Sequence, residues 1–103
     1  MMIRQPVIEL KKLGKLPSEE DADPEVVRRH ELLIRALDVP LSDDEARVLV
    51  NIFGKDGCFG LASSLVARIE TAPSWPILDS LSNIQNPWIV ELRERARRGG
   101  KMP

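Results

Sequence analysis

A single cysteine, Cys58, in 103 residues excludes an intramolecular disulfide and leaves no second thiol to share a zinc. The pattern points to a reducing compartment, and the cytoplasm is the expected location. The one histidine, His30, cannot hold a metal alone. No stretch approaches the roughly 20 apolar residues that a membrane helix needs. The opening MMIRQPVIELKK lacks the continuous apolar run of a secretion signal, so neither membrane insertion nor export by that route is expected. An excess of one charge is also missing. Fifteen basic residues meet 16 acidic ones for a net charge of -1, which gives no global basic field for nucleic acid or an anionic membrane. Sustained β-type alternation is absent throughout, and no metal, nucleotide or nucleophile motif stands out.

What is present is an ordinary globular composition, 43% hydrophobic and 30% charged, enough for one domain over residues 1–103 with a core of its own. Its punctuation is helical. Pro6 and Gly14 bracket a short helix with Val7, Leu10 and Leu13 on one face. Residues 14–23 carry a proline and four acids without periodicity and are expected to form an exposed acidic loop. Asp23 as cap and Pro24 in the first turn start a second helix that should run to about Leu37, where Val39-Pro40 follows. Ser42 and Glu45 form a capping box for a third, with Gly54 as its left-handed stop.

Residues 57–70, GCFGLASSLVARIE, have almost no polar position before their end. They predict a central helix with no wet side, a neighbour of the third helix. A short helix over residues 76–81 and a last one after Asn86-Pro87 complete the chain, with 99–103 as a flexible tail. The fold class is therefore all-α: five to six short helices in a compact antiparallel bundle or a HEAT-like stack of helical hairpins. Trp75 and Trp88 are expected to clamp the last two helices onto the core.

Candidate chemistry is sparse. Gly54, Gly57 and Gly60 suggest a phosphate loop, but the lysine and hydroxyl that should follow the last glycine are missing. Gly57 then makes a turn and Gly60 allows close helix approach. Cys58 and His30 lie on different helices with no third orienting group. No catalytic residue, metal or cofactor is expected.

Charge distribution is more informative than any motif. From Ser18 to Glu45 ten acids face three arginines, a balance of minus seven, whereas from Glu91 onward five bases face two acids. Helix dipoles account for Asp43, Asp44 and Glu45 at a helix start and for Arg97 and Arg98 at a helix end. They do not account for Glu19, Glu20 and Asp21. An acidic docking surface for a basic partner, built from Glu19, Glu20, Asp21, Asp23, Asp43 and Asp44, is the alternative to a merely solvated face.

The run GCFGLASSLVARIETAPSWP, with FG before it and NPWIVELRERA after it, resembles a family of small all-helical bacterial proteins. Its members occur as orphans or beside toxin genes, and in the latter setting would act as immunity proteins of polymorphic or contact-dependent toxin systems. The resemblance covers residues from about Leu49 to the C terminus and leaves the acidic segment outside. It implies a neutralising binding partner, a cognate protein toxin that the chain occludes, with no individual site assigned. A toxin with a basic channel, such as a nuclease, would suit an acidic face. The rival reading is a nucleic-acid-binding regulator using Arg93, Arg95, Arg97, Arg98 and Lys101, although that helix lacks polar base-reading residues. A third is a small enzyme using Cys58, whose thiol would be activated at an exposed helix start.

Overall fold

The chain divides into five α-helices and one 3-10 turn in a computed structural model that describes residues 3–100. No strand occurs among them. The tail expected at 99–103 falls mostly outside the described residues; Gly99 caps the last helix and Gly100 follows it.

Helix α1 (Gln5–Leu13) takes Pro6 in its first turn, buries Val7 and Leu10, and stops where Gly14, at φ +95°, returns its N–H to the Leu10 carbonyl. In α2 (Pro24–Arg35) the Asp23 carboxylate accepts from Glu25 N at 2.9 Å. This helix ends two residues before the expected Leu37, which is nevertheless buried in the closing turn. Helix α3 (Asp43–Leu49) opens with the predicted capping box: Ser42 Oγ accepts from Glu45 N, and the Glu45 carboxylate accepts from Ser42 N.

The end of α3 differs from the expectation. The helix stops at Val50, where Asn51 and Ile52 donate to carbonyls three residues back, and Gly54 is not left-handed. Glycine is required there for space instead. A Cβ on Gly54 would lie 2.3 Å from the Leu16 carbonyl oxygen, because Leu16 enters the core beside Ile52 and donates its N–H to the Ile52 carbonyl. The segment over residues 14–23 is therefore anchored at one end by a buried leucine, and its acids occupy only the outer part.

The expected helix over residues 57–70 is shorter and has a wet side. Cys58, Phe59 and Gly60 are left-handed in succession, at φ 45°, 55° and 89°, so α4 begins only at Leu61 and runs to Ile69. Leu61, Ala62, Leu65, Val66 and Ile69 are buried, while Ser63 and Ala67 face solvent. Gly60 has open space where its Cβ would stand, so its φ, not close approach, explains it. The short helix expected at 76–81 is a single 3-10 turn, Leu78–Ser80. Helix α5 (Pro87–Arg98) starts with Asn86 accepting from Trp88 N at 2.8 Å and buries Ile89, Leu92 and Ala96.

Helix α1 packs on α2 and α3, and α4 packs on the same two helices. The four enclose Leu10, Ile34, Leu49, Phe53, Leu65 and Ile69. A smallest extent of 17 Å is that of two helix layers. Trp88 stacks on Phe53 with ring centres 5.9 Å apart and donates its indole N–H to the Asp56 carbonyl; this fastens α5 to the chain between α3 and α4. Trp75 is half-buried against the core.

Candidate functional site

The acidic loop and the left-handed turn before α4 hold each other through two carboxylates. Asp56 accepts from Ser18 Oγ at 3.2 Å, from Glu19 N at 3.0 Å and, within its own turn, from Cys58 N at 3.0 Å. Glu19 reciprocates: its carboxylate accepts from Phe59 N at 2.7 Å. These backbone bonds hold the Asp56 carboxyl below its usual pKa, since amide donors favour the charged form. Their structural result concerns Phe59. A non-glycine residue in left-handed conformation costs about 1–2 kcal/mol, and here the clamp offsets that cost while the phenyl ring stays 61% exposed.

Phe59 faces α2 across a groove of about 570 Å³, whose apolar wall is Val27 and Leu32 and whose near end is Ala22 and Pro24. Leu32 is itself 57% exposed. Arg28 on the rim has no hydrogen bond or ion pair among the described residues, whereas Arg35 pairs with Glu31 at 3.2 Å. Glu20, Asp21 and Asp23 flank Ala22 in the chain, so these acids neighbour a residue that lines the groove.

The six predicted docking acids do not form one set. Glu19 belongs to the clamp, Asp23 caps α2, and Asp43 accepts from Ser74 N at 2.9 Å; the Ser74 side chain, then its backbone N–H, lower the Asp43 pKa. Asp44 lies 3.7 Å from Arg47. Asp43 and Asp44 begin α3, while the acidic loop enters beyond that helix's other end, where Leu16 meets Ile52. Glu20 and Asp21 are exposed, with Lys55 3.8 Å from Glu20.

The arginines of α5 are internally matched. Arg95 pairs with Glu70 through two bonds of 2.7–2.8 Å, Arg97 with Glu94, Arg98 with Glu91, and Arg93 donates to the Leu81 carbonyl. Lys101 lies outside the described residues. Cys58 is fully buried, and burial, then the charges of Asp56 and Glu19, push its thiol upward, the opposite of thiolate activation. His30 is buried as well, each ring nitrogen 3.0 Å from a carbonyl, of Val26 and of Gly14. It ties α2 to the end of α1, and neither ring nitrogen is bonded to Cys58.

Sequence reasoning missed Asp56, Phe59 and Leu32. An Asx turn at Asp56-Gly57 was readable, but the partnership with Glu19 joins residues far apart in the chain. No helix among the described residues is long and apolar enough to cross a membrane. No protein-family model, curated protein or solved structure matches this chain.

Proposed function

We propose that the chain is a protein-binding module that grips its partner with the groove between Phe59 and α2 and with the acids of the adjoining loop. One observation carries the reading. A bulky aromatic residue stands exposed in a conformation that disfavours it, and strain of that kind collects where a surface is kept for binding. Exposed aromatic anchors beside apolar hollows are what partner proteins bury as hot spots. Glu20 and Asp21 would meet basic groups around the contact and speed encounter.

The finer reading is that of an immunity protein which covers a toxin. It is supported by the resemblance over residues 49–103, which contains Phe59, and by an acidic loop suited to a basic nuclease channel. Co-expression with each neighbouring reading frame tests it. The expected result is a protein that is harmful alone, becomes harmless with this chain and co-purifies with it, but does so poorly with Phe59→Asn. If no neighbouring product is captured or neutralised, the immunity reading fails. If one is captured equally well by Phe59→Asn, the groove is the wrong surface.

A further inference from the structure

A second surface lies between α1 and α3, away from Phe59. Two adjoining hollows of about 490 Å³ and 300 Å³ share Lys11 and Val48 in their walls. The floor is aliphatic: Ile3, Ile8 and Val48, continuing to Ile52. Lys11, Lys12 and Lys15 rise from its edge and are exposed. No acidic residue lines either hollow. Among the described residues none of the three lysines has an ion pair or hydrogen bond, whereas Arg47 on the opposite wall is already held by Asp44 and Asp79.

The position of Lys11 and Lys12 in the last turn of α1 suits the helix dipole. Lys15 lies past Gly14 and outside that explanation, and the dipole says nothing of the aliphatic floor. Ile8, Lys11 and Lys12 share one face of α1 at three-four spacing, and Lys15, past the helix, lines the same hollow as Lys11, so apolar and cationic groups border one groove. Nucleic acid would be better served by arginines and stacking aromatics, and neither is free here.

We propose that this groove is a docking site for an acidic amphipathic helix of another protein. Aliphatic residues of two successive turns would sit on Ile8 and Val48, and flanking carboxylates would meet Lys11, Lys12 and Lys15. The proposal is independent of the groove at Phe59, which has a different wall and different charges along it.

The probe is a fluorescein-labelled synthetic helix with leucines four apart and glutamates on either side of them, titrated against the full chain by anisotropy. Binding is expected to weaken about tenfold when Lys11, Lys12 and Lys15 are all changed to Glu, and to weaken with salt. The single change Lys15→Glu lies outside every helix, so it spares folding, and it should give a smaller loss in the same direction. Phe59→Asn and Glu20→Lys should leave the affinity unchanged, and the same peptide with lysines for glutamates should not bind. The proposal is overturned if the acidic peptide fails to bind, if Lys15→Glu and the triple variant bind it as tightly as the unmutated chain, or if duplex DNA or phosphatidylserine vesicles bind at the same lysines in its place.

Discussion

Replacing Glu45 by Gln keeps the shape of the side chain and removes its charge. Glu45 is 1% exposed and accepts from Arg4 three times, from N at 2.9 Å, Nε at 3.0 Å and Nη2 at 2.8 Å, as well as from Ser42 N. The Arg4 hydrogen bonds, chiefly, hold its pKa at about 2 against an ordinary 4.5. The folded value is depressed, so the stabilisation is complete above pH 4.5 and fades as pH falls toward 2. Arg4 is partly open to water, so the contribution is discounted to about 2 kcal/mol. Glu45→Gln should lower the unfolding free energy from urea titration at pH 7 by that amount and flatten its fall between pH 5 and 2. An unchanged pH profile would refute the assignment. Asp56→Asn puts an amide where donors already point and should cost about 1–3 kcal/mol, with faster hydrogen exchange at the Glu19 and Cys58 amides. The capping half of Glu45 was legible from its spacing to Ser42; the Arg4 half was not, since 41 residues separate the pair.

At the level of elements, the starts marked by a side-chain cap were read best. Asp23-Pro24, the Ser42 box and Asn86-Pro87 each act locally, so a few residues suffice to recognise them. Gly54 and Gly60 looked alike in sequence and exchange their expected reasons in the fold. One has no room for a Cβ because of a backbone that arrives from residue 16, and the other has room but a positive φ. The two can be told apart. Gly54→Ala should destabilise by about 2–3 kcal/mol through displacement of Leu16, and replacement by larger residues should be worse. Gly60→Ala should cost about 1 kcal/mol for its conformation, with Asn there cheaper than Ala. Thermal melts of the three variants check this ordering. The stretch 57–70 looked like continuous helix because its composition is apolar throughout; composition does not show that Cys58 and Phe59 turn left-handed.

Considered as a whole, the molecule carries its polarity in patches. The acidic excess of the N-terminal half was visible in the sequence, but which acids stay available was not, because Glu19, Asp23 and Asp43 each hold a backbone amide. Glu20→Lys should therefore leave the melting temperature nearly unchanged while slowing association with a basic partner at low salt, and the difference should vanish at high salt. A rate unaffected at low salt would remove Glu20 from the contact. Phe59→Asn should preserve or raise stability, by up to about 1 kcal/mol, since Asn tolerates the left-handed region, and a loss of stability would mean that the ring supports the fold. The groove itself was not legible, since Phe59 and Leu32 belong to separate elements and nothing in their spacing brings them together.

The mutual hold of Asp56 and Glu19 also divides the acidic loop by what each position is free to become. Ser18 and Glu19 are committed to the clamp and Asp23 to the cap of α2, which leaves Glu20, Asp21 and Ala22 as side chains on which no backbone bond depends. Ala22 lines the groove, and the other two precede it in the chain. Selection acting on this chain would therefore find a short cassette in which recognition can diverge while the scaffold is inherited intact, and a library confined to it should yield altered partners without a census of unfolded members.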